Sequence, residues 1–168
     1  MTKTNLIVTL LISFIFGACY SFKGITIPPE IQYYTVEDFK MNFSSGDNFP
    51  PNIEITFAEA MRERIRNESN LKYSTDDPDI IFSGTIKTFR VRPAAPEEGS
   101  TTALNRLDIN VEIVYEDLLD EENNWKKNYN AFEDFDSTEP LTSVQDELIE
   151  IIFNDITERV FNDTFSNW

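Results

Sequence analysis

Histidine is absent from this chain of 168 residues, and cysteine occurs once, as Cys19. Without histidine there is no Ser-His-Asp or Cys-His triad and no histidine metal site, and a single cysteine cannot form an intramolecular disulfide. Glycine is also scarce: five are present, and Gly84 and Gly99 are isolated rather than part of a phosphate-binding pattern. The sequence therefore predicts neither the common hydrolase mechanisms nor a bound cofactor.

Basic residues are few, because 14 Lys and Arg stand against 30 Asp and Glu, which gives a net charge of −16. A negative charge of this size repels nucleic acid, whose binding requires a basic surface. We therefore predict no nucleic-acid partner. The acids are spread through a chain that is 40% hydrophobic, which is typical of a folded domain rather than of a disordered acidic tail.

The many carboxylates leave two further functions to consider. A glycosidase needs only a pair of carboxylates, but no motif marks one pair among the 30 acids. The acidic segment 117–122 has neither the alternating ligand spacing nor the central glycine of an EF-hand calcium loop. We predict a solvated turn at this segment, no metal site and no enzymatic activity.

A short apolar run precedes the cysteine. Residues 6–16 read LIVTLLISFIF, a run of 11 residues, whereas a transmembrane helix needs roughly 17 to 25. Lys3 precedes this run and the small pair Gly17-Ala18 follows it, which is the order of an export signal. We interpret residues 1–18 as a signal peptide that is not part of the fold.

Cys19 directly follows Gly-Ala, and this segment resembles the lipobox of bacterial lipoproteins, in which the cysteine thiol is acylated. Phe16 stands where the lipobox usually has an aliphatic residue. We predict lipidation of Cys19; the alternative is a buried or reactive free thiol. Residues 19–30 contain Pro28-Pro29 and are predicted to form an extended tether. Tyr20, where inner-membrane lipoproteins often have a retention aspartate, favours the outer membrane.

Residues 31–168 are predicted to form one domain. Strands are expected at 31–39, 80–92, 103–117 and 125–135, which are rich in β-branched and aromatic residues. Alternation is clearest in the third strand, where one face is formed by Leu107, Ile109, Val111, Ile113 and Tyr115. In the second strand, the period of two places Arg90 and Arg92 on the same face as Ile80 and Ile86, and Phe89 on the opposite face.

Two amphipathic helices are predicted. The first follows Asn52, the expected cap, and its apolar residues Ile53, Phe57, Met61 and Ile65 recur every four positions. The second opens with a capping box, Thr142-x-x-Gln145. Its apolar stripe is formed by Leu141, Val144, Leu148, Ile152, Ile156 and Val160. This order of elements predicts an α+β two-layer sandwich, in which a four-stranded mixed or antiparallel sheet carries both helices on one face.

Lys87, Arg90, Arg92 and Arg106 form the basic grouping that stands out in this acidic chain. These residues fall at the ends of two strands that are expected to be neighbours. They could form a local positive site for anionic headgroups or for a loop of a partner protein. The alternative is that they pair with the many acids nearby.

Several segments, in their order along the chain, resemble the LptE family of lipopolysaccharide-assembly lipoproteins. They are GACYSFKGITIPPEIQ, PNIEITFAEAMRERI, IIFSGTI with the following RVRPAAP, ALNRLDINVEI and IFNDITERVFNDTFSNW. The resemblance implies a non-enzymatic outer-membrane lipoprotein on the periplasmic side. It would fill the lumen of an LptD-type β-barrel, help that barrel to fold and help to deliver lipopolysaccharide to the outer leaflet.

The resemblance also implies contact with lipopolysaccharide through basic residues, and Lys87, Arg90, Arg92 and Arg106 are the positions that could provide it. The alternative function is a lipid-anchored periplasmic module that binds a small or lipidic ligand between its sheet and its helices. Such a module requires a sizeable apolar pocket, whereas a barrel plug requires a filled core and a broad contact surface.

Overall fold

The computed structural model describes residues 27–42, 49–94 and 103–166. The predicted signal peptide, Cys19 and most of the predicted tether lie outside these ranges. The elements in chain order are β1 (Tyr33–Val36), β2 (Lys40–Met41), α1 (Ile53–Glu68), β3 (Lys72–Tyr73), β4 (Ile80–Pro93), β5 (Leu104–Asp117), β6 (Trp125–Asp136) and α2 (Leu141–Phe165). Neither helix of the described ranges has the length and apolar content needed to cross a membrane.

The strands form one mixed sheet in the order β3-β1-β4-β5-β6, and β2 pairs with β4 beyond the end of β1. β1 and β3 are parallel neighbours joined through α1, the crossover that parallel pairing requires. β4, β5 and β6 form a long antiparallel meander. The predicted α+β sandwich is confirmed, but the predicted number of strands was wrong: the sheet has six strands, not four. β2 and β3 have two residues each, too few to show any periodicity.

Both helices pack against one face of the sheet. All five residues of the predicted face of β5, Leu107 to Tyr115, are buried against this layer. The ring of Phe57 in α1 lies 4.9 Å from that of Phe153 in α2, and Phe165 at the end of α2 contacts Phe82 of β4. A core rich in such edge-on aromatic pairs fills the space between the layers.

The helix faces and the start of α1 directly after Asn52 were predicted correctly, but the predicted side-chain caps do not form. The apolar stripe of α1 is fully buried, and that of α2 is buried from Leu148 onwards. Asn52 takes a left-handed conformation with φ of 62°, and its side chain makes no capping bond; its backbone carbonyl accepts from Ile55 and Thr56 instead. α2 begins at Leu141 after Pro140, also without a side-chain cap, so the predicted capping box does not form.

A β-bulge in β4 changes which side chains face the core. The register with β5 shifts between Ile86 and Thr88, so Lys87 is the extra residue. Ile86 pairs with Val111 and Phe89 pairs with Ile109. Directly paired residues share a face, so Phe89 points into the core together with Ile86. Beyond the bulge, the residues of β4 that face the core are therefore shifted by one position from those that strict alternation predicts.

Because of the bulge, the predicted face of Arg90 and Arg92 was wrong. Uninterrupted alternation predicted that Arg90 and Arg92 would continue the face of Ile80. After the bulge they lie on the opposite, outer face, where they pair in register with Asp108 and Arg106. This outer face of β4, β5 and β6 carries neither helix, and we refer to it below as the outer sheet face.

Candidate functional site: the outer sheet face

All four basic residues singled out in the sequence lie on the outer sheet face. Arg90 stands opposite Asp108, and Arg92 stands opposite Arg106. Arg106 in turn stands opposite Asp134 of β6. The bulge residue Lys87 points to the same side, because its ammonium group lies 3.2 Å from the Glu112 carboxylate. The fold thus assembles the predicted grouping, but it places acids between the cations.

Two arginine–carboxylate pairs run across the strands. Arg106 donates to both carboxylate oxygens of Asp134, at 2.6 and 2.8 Å. Arg92 donates to both oxygens of Asp108 through Nε and Nη2. Such two-pronged bonds fix the guanidinium plane as well as its position. These two pairs form an ordered ladder on the outer sheet face.

Glu112 is the centre of a third group. Its carboxylate accepts from Lys126 of β6 at 2.9 Å and lies 3.2 Å from Lys87. The hydrogen bond from Lys126, followed by that from Lys87, lowers the pKa of Glu112. The hydrogen bond from Arg106 likewise lowers the pKa of Asp134. Both carboxylates are therefore held in their ionised form on this face.

An exposed aromatic ring completes the patch. The Arg106 guanidinium carbon lies 3.7 Å from the centroid of the Phe132 ring, close enough for a cation–π contact. Phe132 is 46% exposed, so the ring covers the arginine while keeping an apolar surface towards solvent. Sequence reasoning missed Phe132. The alternation of β6 around the buried residues Tyr129 and Ala131 was the signal that could have placed it on the outer face.

Charge is balanced on the outer sheet face. The register and the ion pairs place five basic residues there, Lys87, Arg90, Arg92, Arg106 and Lys126, and five acids, Asp108, Glu112, Glu116, Asp134 and Asp136. The excess negative charge of the protein lies elsewhere. α2 alone carries six acids, Asp146, Glu147, Glu150, Asp155, Glu158 and Asp163, and one basic residue, Arg159.

The main groove on the helical side runs between α1 and α2. It has a volume of about 790 Å³, is open to solvent, and has Glu59, Glu63, Asp146 and Glu150 among its lining residues. Two smaller grooves at the ends of the domain are open as well. In ranges 27–42, 49–94 and 103–166, no group of carboxylates is arranged to hold a metal ion.

The comparison with protein families decides the classification. The family model named LptE, described as lipopolysaccharide-assembly, matches residues 36–164. The chain belongs to the LptE family. The match includes all of β4, β5 and β6, and therefore the whole outer sheet face. A comparison with curated protein sequences gives no match.

Solved structures share the LptE-type fold of this chain at low sequence identity. The uncharacterized lipoprotein B of Nitrosomonas europaea is 10% identical with a TM-score of 0.56, covering 89% of this chain and 91% of its own. A hypothetical protein of Chlamydia trachomatis is 9% identical with a TM-score of 0.53, covering 82% of this chain and 99% of its own. These two likenesses concern the fold alone, and they agree with a two-layer sandwich.

Family membership establishes a role in lipopolysaccharide assembly and the character of a lipoprotein associated with the outer membrane. The LptE family is a family of assembly lipoproteins rather than of enzymes. The family is also associated with LptD and lipopolysaccharide transport.

Proposed function

We propose that this protein, anchored through an acylated Cys19 on the periplasmic side of the outer membrane, fills the lumen of an LptD-type β-barrel. There it helps the barrel to assemble and aids delivery of lipopolysaccharide to the outer leaflet. The observation that carries the proposal is the outer sheet face: three long strands present a broad, charge-balanced polar surface that neither α1 nor α2 covers.

The chemistry of this face suits a barrel interior. The lumen of a wide outer-membrane barrel is polar, so a plug needs polar groups that can form hydrogen bonds across the contact. Balanced charges avoid the long-range repulsion that the rest of this acidic chain would impose on an acidic wall. The arginine ladder is already ordered by Asp108 and Asp134, so less side-chain freedom is lost on docking.

Lys87, Arg90, Arg92 and Arg106 are the groups that we propose for contact with lipopolysaccharide phosphates or with polar loops of the barrel. Arg106 and Arg92 already use their guanidinium groups on carboxylates. A phosphate oxygen has the same geometry as a carboxylate oxygen towards a guanidinium group. Lipopolysaccharide would therefore bind by exchanging with Asp108 and Asp134, and not by filling an empty site.

The alternative of a periplasmic binding module receives less support. It requires an enclosed apolar pocket between the layers. The grooves of the described ranges are open to solvent, and five of the 15 residues that line the groove between the helices are acids. The inner faces of β4 and β5 are filled by buried residues such as Phe82, Ile86 and Val111.

The test is a mild-detergent pull-down of the tagged full-length protein from outer membranes, with the co-purifying proteins identified by mass spectrometry. We expect one large β-barrel protein in near-stoichiometric amount. Recovery of the protein alone, or with only a small ligand, would contradict the plug and favour the binding module.

A further inference from the structure

Two leucines at the β5–β6 turn stand out among the exposed side chains. Leu118 and Leu119 are each 54% exposed, the highest values among the large hydrophobic residues of the described ranges. They follow Asp117, which ends β5. Adjacent exposed leucines carry a solvation cost that a protein usually removes by contact with a partner or a membrane.

The turn holds these leucines in a fixed position. Asp117 is 3% exposed, and its carboxylate accepts from the backbone N–H of Leu119 at 2.9 Å and of Asp120 at 3.0 Å. The side-chain amide of Asn123 donates to the same carboxylate at 3.0 Å. Asn124 accepts from the backbone N–H of Asp117 at 2.6 Å. The leucine pair therefore lies on a turn whose backbone is fixed by side-chain hydrogen bonds.

Asp79 connects this turn to the point where the predicted tether enters the sheet. The Leu118 N–H donates to the Asp79 carbonyl at 2.8 Å. The Asp79 carboxylate accepts from the backbone N–H groups of Gln32 and Tyr33, at 2.7 and 2.8 Å. Asp79 thus bonds both to the leucine turn and to the chain where β1 begins. The two lie at the same end of the sheet, which we call the tether end.

The length of chain before the described residues limits how far the anchor can be. Ile27 lies eight positions after Cys19, and a fully extended chain of this length spans at most roughly 30 Å. A lipid on Cys19 therefore keeps the tether end close to the bilayer. The leucine pair is held at that same end.

Aromatic residues mark the same end of the sheet. Tyr33 of β1 and Tyr73 of β3 are 38% and 48% exposed, and they lie at the level where these two strands pair. Tyrosine is enriched where a protein meets the boundary between lipid headgroups and water. Four of the eight exposed large hydrophobic side chains of the described ranges are thus at the tether end.

We propose that Leu118 and Leu119 form an apolar tip that enters the headgroup region of a zwitterionic bilayer, beside the lipid anchor on Cys19. The inference rests on the anchor of the proposed function, and it does not require the barrel. Asp120, Glu121 and Glu122 follow the leucines, and their charge disfavours an anionic surface. The tip gives the anchored domain a second membrane contact, and this contact fixes which end faces the bilayer.

The experiment places one nitroxide label on the acylated full-length protein, reconstituted into vesicles of zwitterionic phosphatidylcholine. The test variant is Leu119→Cys. The matched control is Val91→Cys, which is also exposed, at 39%, but lies 11 residues along β4 from Ile80, roughly 36 Å from the tether end. Spin relaxation by oxygen, which concentrates in lipid, is compared with relaxation by a water-soluble nickel complex.

We expect a several-fold higher oxygen-to-nickel ratio at position 119 than at position 91 on the vesicles, and similar ratios at the two positions in the unacylated Cys19→Ala background without vesicles. Equal, water-like ratios on the vesicles would overturn the proposal.

The label count separates this result from a failure of the anchor. An acylated Cys19 has no free thiol, so each variant should carry one label. Two labels per chain would show an unmodified Cys19, which would remove the anchor and the membrane tip together. One label with water-like ratios would remove the tip alone and leave the anchor and the barrel plug standing.

Discussion

The two exposed layers of this domain differ in charge although they enclose one core. The outer sheet face has five basic and five acidic residues, most of them in contacts across strands. α2 has six acids and one arginine, and its ion pair within the helix joins Arg159 to Asp155. We infer that the sheet face is built for contact with a large polar partner and that the helical face is built to remain in water.

Reversing the charge on one layer and then on the other should test this difference in role most clearly. The triple variant Arg90→Glu, Arg92→Glu and Arg106→Glu places eight acidic residues on the outer sheet face, with Lys87 and Lys126 the basic residues left there. We expect it to lose most of the co-purifying barrel and of the bound lipopolysaccharide. The folded domain should persist, since pairs at the surface contribute little stability.

The matched control reverses three exposed acids of α2: Glu147→Lys, Glu150→Lys and Glu158→Lys. We expect barrel recovery close to that of the unmodified protein, measured in the same pull-down. If both triple variants lost the barrel equally, charge on the two layers would not distinguish their roles. If the arginine variant retained the barrel, these arginines would have no role beyond surface ion pairing.

Gly84→Ala should have the largest effect on stability. A Cβ at this position would lie 2.1 Å from the backbone oxygen of Glu112 and 2.7 Å from the ring of Phe39, so β4 and β5 would have to move apart. Overpacking of this kind costs about 3 kcal/mol. Ser83→Ala, the neighbour on the outer sheet face, is the control. Urea unfolding followed by circular dichroism should show a loss for Gly84→Ala and little change for Ser83→Ala.

Sequence reasoning was reliable where the alternation of a strand continues unbroken. In β5, every residue from Leu107 to Tyr115 that was predicted to be inside is buried, because β5 itself has no extra residue along this stretch: the bulge lies in β4. The prediction failed at β4, because the bulge at Lys87 is defined by how β4 pairs with β5 and not by the sequence of β4 alone. One strand read alone contains no information about its register with another.

The candidate site was predictable in its residues but not in its bonds. The sequence brings Arg90 and Arg92 together and marks Arg106, since cations are rare in this chain. The partner of Arg106, however, is 28 positions away at Asp134, and that contact depends on the hairpin register. The connection of Asp79 to both Gln32 and Leu118 was missed for the same reason: three strands must be aligned before it exists.

Acidification should weaken the outer sheet face by a smaller amount. The pKa values of Glu112 and Asp134 are lowered in the folded protein. Their contribution is therefore complete above the ordinary carboxylate range and is lost as pH falls through the lowered folded values. We expect stability to decline below about pH 4. The double variant Glu112→Gln and Asp134→Asn should show a flatter acid limb in thermal unfolding, and an identical limb would contradict this role.

Ile151→Lys should have the smallest effect. Ile151 lies on the outward side of α2 and is 42% exposed, among side chains that we expect to face water. A lysine there adds a cation to an acidic helix surface, so stability and barrel recovery should both be nearly unchanged. A clear loss of barrel recovery would show that the helical layer also contacts the partner.

The most direct test is photo-cross-linking in cells, with a photoreactive amino acid placed once on each layer. Position 128 lies on the exposed outer sheet face, where Asn128 stands opposite Glu112, and position 151 lies on the outward side of α2. The plug predicts a strong cross-link to one large β-barrel from position 128 and little from position 151. A cross-link from position 151 with none from position 128 would contradict the assignment of the outer sheet face as the surface that meets the barrel.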